Sequence, residues 1–517
     1  MKLSKIFLTF FISGLASQVF AVSPESKNPL ADLPYFNKTE SGYSLKFNDK
    51  NYKTVTSTID GKDITYRAYE KIVYVERPVE PEFQTLNFYV PEEYFHGKEI
   101  HGYNINTAPI FLPNSIGGYM PALATAASQP GMGGETSTIL TALSHGYVVA
   151  SVGARGRTLK QNDRYTGKAP AVIVDLKAAV RYLHANDAVM AGDANKIISN
   201  GTSAGGAMSA LLGMSGDNSD YSAYLKELGA ADASDAIFAV SAYCPITNLE
   251  HADAAYEWEF HSLKDYSRMD MSKLNATTYN DRSKAMAMIE GTLTDEQLSI
   301  SKILKTQFPD YVNALNLKDS QGNSLTLDEN GGGSFKQYLE SQLRKSASKA
   351  FQALGTQDAK KAFQAKYKGL SFDKNDVANV NLEQFVTNKK RMKSPPAFDA
   401  FDLSSGENDE FGTETIQAQH FTPFSLKNST VKGSMADKET IKLLNAMNYL
   451  ENAKAAQYWR IRAGSEDYDT SHAISAILAI KLNMAGKNVD YALPWGVPHS
   501  GDYDLVELFQ WIDSIAK

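Results

Sequence analysis

The sequence predicts an α/β protein in which a mostly parallel sheet is flanked by helices. Apolar, strand-like runs alternate with segments of helical period between residues 85 and 243, a pattern typical of parallel sheets. A G-x-S-x-G motif joins one of those strands to the helix that follows. The chain has 517 residues, 43% of them hydrophobic. This length exceeds that of most compact domains, so we expect two structural bodies.

The predicted sheet is built from short runs of β-forming residues that are bounded by turn residues. Strands are predicted at residues 85–90, 108–112, 146–152, 196–200 and 236–243. Two apolar segments of helical period lie between the later strands, at residues 171–185 and 204–214. These helices would connect parallel neighbours.

Beyond residue 243 no strand pattern is found for about two hundred residues, and the sequence becomes polar with helical periodicity. Helical segments are predicted at 279–305, 334–354 and 358–368. We interpret residues 245–445 as a large, mainly helical lid domain that is inserted after a late sheet strand. The sheet returns at residues 457–462 and 489–494, and an amphipathic helix at 505–515 ends the chain. The core that contains the sheet would then comprise residues 22–244 and 446–517.

Residues 1–21 have the pattern of a secretory signal peptide. Lys2 and Lys5 give a positive start, Ile6–Leu15 is apolar, and Val19-Phe20-Ala21 resembles a cleavage site. The apolar run is short for a membrane span, which disfavours an uncleaved anchor. We therefore expect export to the periplasm or the extracellular space, without stable membrane insertion after cleavage.

Charge and cysteine content exclude some classes of function. The net charge of −7 becomes −9 if Lys2 and Lys5 leave with the signal peptide, and this sign opposes nucleic-acid binding. Cys244 is the single cysteine, so no intramolecular disulfide can form. The oligomeric state has no signature in the sequence.

The nucleophile is predicted at Ser203, within Gly201-Thr202-Ser203-Ala204-Gly205. A strand directly before the motif and a helix directly after it are the context that a nucleophile elbow requires. Small residues are needed around the serine because the turn is tight, and Gly201, Gly205 and Gly206 meet that need. The motif in this context predicts the α/β-hydrolase fold.

The general base is predicted at His499. A serine hydroxyl needs a base to accept its proton, and in this fold the chain order is serine, acid, histidine. His472 and His499 are the histidines in the returning part of the sheet. His472 opens an apolar helix and is interpreted as a first-turn or packing residue, whereas His499 lies in a loop beyond the last strand.

The acid of the triad is predicted in Ser465-Glu466-Asp467-Tyr468-Asp469, directly after a strand. Three carboxylates compete there, and alternation places Asp467 and Asp469 on one side and Glu466 on the other. Any of them could instead be a solvated acid of the turn or a helix cap. The residues alone favour Asp467 without excluding the others.

The oxyanion hole needs two backbone N–H donors, one of them from the residue after the nucleophile. That residue is Ala204. The second donor is predicted at Gly117, in the loop Asn114-Ser-Ile-Gly-Gly-Tyr119, although the H-G-G-G pattern is absent. An ordinary Gly-Gly turn is the alternative interpretation of this loop.

The sequence resembles the bacterial tannases, or tannin acylhydrolases. The resemblance rests on long strings at 114–121, 201–206, 230–259 and 495–504 and extends over the chain beyond about residue 85. It implies a triad of Ser203, Asp467 and His499, and so decides between the three carboxylates. It also implies a galloyl pocket with polar positions at Lys393, Glu407 and Asp469 and with Ile246 on the flat face of the ring.

One position departs from the family pattern, because Gly406 stands where a proline often precedes the pocket glutamate. An apolar wall of the ring slot is therefore in question. The residues themselves suit a galloyl ring, whose three adjacent hydroxyls can donate to Glu407 and Asp469 while Lys393 donates to an oxygen.

These observations predict a serine esterase that hydrolyses galloyl esters, such as gallotannins and alkyl gallates, to gallate and an alcohol through an acyl-enzyme. The expected partner is a small-molecule ester, and no cofactor or metal is implied. A feruloyl or general phenolic-acid esterase with the same machinery is the alternative. A polyphenol-binding protein without turnover is a more remote one.

Overall fold

The computed structural model describes residues 29–130, 136–270, 274–280, 287–373 and 376–517. The predicted signal peptide lies outside the described residues. Within them, no segment forms a helix with the length and hydrophobicity of a membrane span.

The strands are numbered here in chain order. They are β1 (Lys38–Thr39), β2 (Gly42–Tyr43), β3 (Lys53–Ile59), β4 (Lys62–Val73), β5 (Thr85–Pro91), β6 (Pro109–Pro113), β7 (Val148–Val152), β8 (Lys160–Gln161), β9 (Arg164–Tyr165), β10 (Asp193–Thr202), β11 (Ala239–Tyr243), β12 (Asp265–Met269), β13 (Met288–Thr292), β14 (Leu370–Asp373), β15 (Asp376–Val380), β16 (Tyr458–Arg462) and β17 (Asn488–Ala492). Nine of the described strands form one central sheet, in the order β17-β16-β11-β10-β6-β7-β5-β4-β3. The remaining described strands pair in two-stranded sheets.

The helices follow the same numbering. They are α1 (Thr138–Ser144), α2 (Ala171–Ala185), α3 (Ala204–Met214), α4 (Ser222–Leu228), α5 (Ala252–Phe260), α6 (Ala276–Asn280), α7 (Asp295–Ala314), α8 (Ser334–Gln352), α9 (Gln357–Lys366), α10 (Leu382–Phe385), α11 (Gly406–Glu410), α12 (Pro423–Lys427), α13 (Lys438–Leu444), α14 (His472–Met484) and α15 (Leu505–Ala516). Helix α3 packs on β10 and β11, and α14 packs on β16 and β17.

The central sheet is mostly parallel, as predicted. Strands β17 to β7 pair in parallel, while β7, β5, β4 and β3 pair antiparallel at the other end. The predicted α/β-hydrolase fold is confirmed, and α2 and α3 have the predicted bounds. Both helices are almost entirely buried, and each could be recognised as a largely apolar segment of helical length.

The antiparallel strands β3 and β4 were not predicted from the sequence. In β3 only Ile59 is buried, and β4 contains several charged side chains. A strand near a sheet edge exposes one face to water and uses polar residues there, so its apolar signal is weak.

The segment between β11 and β16 is mainly helical, but it is not purely so. It contains two antiparallel hairpins, β12–β13 and β14–β15. The helix predicted over 279–305 is wrong, because β13 occupies part of that range and α7 begins after Thr294. Thr294 accepts from the Gln297 backbone while the Gln297 side chain accepts from the Thr294 N–H, a capping box that starts the helix there. The proposed domain boundaries and the action of this segment as a lid stay predictions.

Four strands end together at one edge of the sheet. In the parallel register Thr202 lies opposite Tyr243, Tyr243 opposite Arg462, and Arg462 opposite Ala492. The segments that leave β10, β11, β16 and β17 therefore begin side by side. In open α/β sheets, ligands bind beyond the carboxyl ends of the strands, so this edge is where a functional site is expected.

Candidate active site

Ser203 occupies a sharp turn between β10 and α3. Its φ of 59° and ψ of −124° are strained for a residue with a side chain, at a cost of roughly 1–3 kcal/mol. Close approach explains two of the neighbouring glycines: a Cβ on Gly201 would lie 2.3 Å from the Gly205 carbonyl oxygen, and one on Gly206 would lie 2.4 Å from the Tyr243 carbonyl oxygen. The turn presents a half-buried hydroxyl at the carboxyl edge of the sheet.

His499 and Asp467 are hydrogen-bonded to each other. Nδ1 of His499 donates to Oδ2 of Asp467 over 2.8 Å, and the other carboxylate oxygen accepts from the backbone N–H groups of Asp469 and Thr470. Burial alone would raise the pKa of Asp467, but the charge and hydrogen bond of His499 outweigh it and hold that pKa at about 2. With Nδ1 protonated by this bond, the neutral ring carries its lone pair on Nε2.

The loop that carries His499 lies against the Ser203 turn. A Cβ on Gly501 would lie 1.8 Å from Oγ1 of Thr202, which precedes the serine. Asp502 accepts a hydrogen bond from Asn200 of β10 over 2.9 Å. In the described residues no hydrogen bond joins Ser203 to the His499 ring, a contact that is often long in unliganded enzymes and shortens when substrate binds.

The three candidate acids have three different partners. Asp467 bonds His499, as described. Glu466 accepts from the Tyr367 hydroxyl and pairs with Lys389, both in the segment between β11 and β16. Asp469 pairs with Lys393 over 2.5 Å. The turn therefore gives different partners to the three carboxylates, among which the residues alone favoured Asp467 without excluding the others.

The loop after β6 lies next to the Ser203 turn. The Gly205 N–H donates to the Ile116 carbonyl over 3.0 Å, which brings Gly117 beside the start of α3. Neither the Ala204 N–H nor the Gly117 N–H has a hydrogen-bond acceptor among the described residues. A Cβ on Gly117 would lie 2.6 Å from the Tyr279 hydroxyl. Two unpaired donors are thus available near the serine, although their role as an oxyanion hole stays a prediction.

Lys393, Glu407 and Asp469 form a charged group close to His499. Nζ of Lys393 binds both a carboxylate oxygen and the carbonyl of Asp469, and Asp469 lies 3.8 Å from Nε2 of His499. Burial raises the pKa of Glu407, and the charge of Lys393 opposes the rise. Ile246 is buried just beyond β11. The structure brings the polar pocket candidates together, and their roles stay predictions.

Solved structures show which family this chain belongs to. The sequence profile described as BD-FAE matches residues 119–301, and no protein with a curated description matches the chain. Among solved structures, the Fusobacterium nucleatum tannase is 52% identical, with a TM-score of 0.86 over 92% of this chain and 100% of that chain. A Lactobacillus plantarum tannase is 45% identical, with a TM-score of 0.86 over 92% and 99%. The chain belongs to the tannase family.

A tannin acyl hydrolase has also been solved in complex with ethyl gallate. It is 44% identical to this chain, with a TM-score of 0.84 over 92% of this chain and 99% of that chain. The tannases are carboxylic ester hydrolases, so the predicted enzyme class and the predicted family are both confirmed.

Arg157 connects the Gly117 loop to helix α11 in this tannase, and no sequence pattern indicated this contact. Its Nε donates to the Gly118 carbonyl over 2.8 Å, and Nη1 pairs with Asp409 over 2.5 Å. A Cβ on Gly406 would lie 3.3 Å from the guanidinium, so a larger residue at that position would require Arg157 to shift. Gly406 thus leaves room for the Arg157 guanidinium.

We expect Arg157→Met to lower the free energy of unfolding by about 2 kcal/mol, because it leaves nearly buried acceptors without a donor. Arg164→Met is the matched control, since its ion pair with Glu414 is 62% and 57% exposed and should cost less than about 0.5 kcal/mol. Urea unfolding of both variants measures the difference. Equal losses in the two variants would contradict the role assigned to Arg157.

Two further features at the site were not found from the sequence. Cys244 is buried directly after β11, and its Sγ donates to the Ser500 carbonyl over 3.3 Å. Ligand atoms of Cys244, Asp467 and His499 lie within 4.8 Å of one another, close enough for a metal ion, but each of these side chains already has a hydrogen-bond partner. The second feature is a buried pair behind Asp467 that involves His472.

Proposed function

We propose that this tannase hydrolyses galloyl esters through an acyl-enzyme on Ser203, with His499 as general base and Asp467 as the acid of the triad. The observation that carries the proposal is the buried hydrogen bond between His499 and Asp467 at the sheet edge that also carries the Ser203 turn. A relative that is 44% identical was solved with ethyl gallate bound, which supports the substrate class.

In the first half of the reaction, Oγ of Ser203 attacks the ester carbonyl carbon while Nε2 of His499 takes the hydroxyl proton. The carbonyl oxygen becomes an oxyanion, which the N–H groups of Ala204 and Gly117 stabilise. Asp467 fixes the tautomer of the ring and stabilises its charged form. The oxyanion then collapses, the bond to the leaving oxygen breaks, and His499 gives its proton to the departing alcohol.

In the second half, water attacks the galloyl ester of Ser203. His499 accepts a proton from the water, the tetrahedral species collapses, and Ser203 recovers its proton from His499. The products are gallate and the free alcohol. With the predicted signal peptide, we propose that this chemistry takes place outside the cytoplasm.

The selectivity for a galloyl ring is proposed to come from Lys393, Glu407 and Asp469. Adjacent ring hydroxyls can donate to the two carboxylates, and the Lys393 ammonium can donate to a hydroxyl oxygen. A ring without hydroxyls would make none of these hydrogen bonds in a site shielded from water, and sites of this kind reject such analogues strongly. Ile246 is proposed to pack on the flat face of the ring.

We expect kcat/KM to fall by roughly 10- to 100-fold for each ring hydroxyl that is removed, because a hydrogen bond to a charged group contributes about 1.5–3 kcal/mol. The measurement compares methyl gallate, methyl 3,4-dihydroxybenzoate and methyl benzoate. Methyl ferulate is the fourth substrate, since a general phenolic-acid esterase would hydrolyse it as well as methyl gallate. That result would contradict the proposed selectivity.

The same panel measured on Glu407→Gln assigns the selectivity to the pocket. The variant should lose activity on methyl gallate and retain activity on methyl benzoate, so the ratio between the two substrates falls. Glu414→Gln is the matched control, because that carboxylate is 57% exposed in its pair with Arg164. A ratio unchanged in Glu407→Gln would show that the ring is recognised elsewhere.

A further inference from the structure

Behind the His499–Asp467 pair lies a second histidine–carboxylate pair, formed by His472 and Glu259. The side chains of His472 and Glu259 are only 1% and 0% exposed. Nδ1 of His472 donates to one oxygen of Glu259. The other oxygen accepts from the Ser471 hydroxyl over 2.7 Å and from the His472 backbone N–H over 2.9 Å. Helix α5 thus binds the first turn of α14.

The His472 ring must carry a proton on both nitrogens. Its Nε2 faces the Gly464 carbonyl oxygen at 2.8 Å, and a carbonyl can only accept, so Nε2 is protonated. Nδ1 faces a carboxylate that already accepts two other hydrogen bonds. Burial opposes the charge, but Glu259 outweighs it and raises the pKa of His472 to about 9.

Gly464 begins the turn that carries Asp467. Its carbonyl oxygen accepts from the Asp467 N–H over 3.0 Å as well as from His472. A Cβ on Gly464 would lie 2.1 Å from the Val497 carbonyl oxygen, and the Glu466 N–H donates to that same oxygen over 2.9 Å. One short turn is therefore held on one side by His472 and on the other by the loop that leads to His499.

We propose that His472, held by Glu259, is a positioning residue that fixes the Gly464–Asp467 turn and places a positive charge behind Asp467. The inference rests on the proposed function, because it assigns His472 a part in the triad of that reaction. His472 does not touch the substrate and acts through Asp467. The sequence suggested only a first-turn or packing residue at this position.

The other titratable groups that face the His472–Glu259 pair do not change the positive charge assigned to His472. Those groups are Asp467, Tyr468 and Tyr491. Burial raises the pKa of both phenols, so they stay neutral in the working range. Asp467 is a carboxylate held by His499, and the positive charge on His472 further lowers its pKa.

The proposal predicts a change in kcat with little change in KM. In His472→Ala the turn loses its anchor, and kcat should fall by about 10- to 100-fold, as small misplacements of reacting groups do. KM should stay within about twofold, because the His472 ring hydrogen-bonds none of the proposed pocket residues. His472→Gln can still donate to the Gly464 carbonyl, so it should recover most of the loss in kcat.

The pH profile separates positioning from a merely structural role. A positive charge behind Asp467 opposes protonation of His499, so its removal raises the pKa of His499. The acid limb of kcat/KM should therefore move to higher pH by roughly half to one unit in His472→Ala and His472→Gln. If the acid limb of kcat/KM lies at the wild-type pH in both variants, the proposal is overturned.

Two controls keep the test decisive. His184→Gln removes another ring bonded to a backbone carbonyl, that of Ala236, remote from the site, and should leave both kcat and the limb unchanged. If His472→Ala does not fold, Glu259→Gln takes its place: it keeps the Nε2 hydrogen bond, and because burial lowers the pKa of the ring once its carboxylate partner is gone, His472 loses the positive charge behind Asp467. Its acid limb should move upward as well, and an unmoved limb would overturn the proposal.

The failure of this inference is distinguishable from failure of the proposed function. Each variant is compared with the wild type on both methyl gallate and p-nitrophenyl acetate. A wild type that cleaves only p-nitrophenyl acetate would contradict the galloyl assignment, while the ratios of variant to wild type on that ester would still decide the role of His472.

Discussion

Replacing Ser203 with alanine is expected to lower kcat/KM for methyl gallate by about 10⁴-fold or more. The hydroxyl is the group that forms the acyl-enzyme, and in serine hydrolases the remaining oxyanion donors and binding contacts supply only the residual rate. The variant keeps a Cβ at the strained turn, so the free energy of unfolding should change by less than about 0.5 kcal/mol. Steady-state kinetics and urea unfolding measure the two quantities.

The matched control for that variant is Ser222→Ala, at an exposed position at the start of α4. It should hydrolyse methyl gallate at the wild-type rate. A Ser203→Ala protein that is folded and keeps a tenth of the wild-type activity would refute the assigned nucleophile, and with it the acyl-enzyme.

Replacing Asp467 with asparagine is expected to lower kcat by about 10³- to 10⁴-fold. An amide at this position can present N–H to Nδ1 and so favour the tautomer that leaves no lone pair on Nε2. The pH profile should change as well. Burial opposes protonation of His499, but the Asp467 charge outweighs it and raises the pKa of the ring. Without that charge the pKa falls, so the acid limb of kcat/KM should move to lower pH.

Glu466→Gln is the control that the sequence itself suggests, because Glu466 is the neighbouring candidate acid. Its partners are Tyr367 and Lys389, so kcat should stay within about threefold of the wild type. Comparable losses of kcat in Glu466→Gln and Asp467→Asn would mean that the turn, rather than the Asp467 carboxylate, carries the effect.

The sequence was sufficient for features whose cause is local. The Ser203 turn could be predicted because its requirements, a strand, small residues and a helix, occupy one contiguous stretch. Helices α2 and α3 were predicted within their observed bounds because each is a largely apolar segment of helical length between two strands. The parallel sheet followed from the alternation of such elements.

Features that depend on distant partners could not be predicted from the residues alone. Nothing local to residues 466–469 decides which carboxylate meets His499, since that depends on the register between β16 and β17. The same holds for Arg157 with Asp409 and for His472 with Glu259, which are separated by more than two hundred residues. A single sequence shows which side chains are present, but it does not show which distant side chains form contacts in the folded protein.

The pairing of β11 with β16 has a consequence for how the enzyme acquires activity. Tyr243 and Arg462 lie opposite each other although the whole inserted segment separates them in the chain, and closing so long a loop makes this pairing intrinsically slow. Asp467 and His499 lie beyond β16 in the chain, so their placement beside the Ser203 turn depends on this pairing. A refolding chain should therefore recover secondary structure well before it recovers hydrolysis, and the return of turnover reports the last stage of folding.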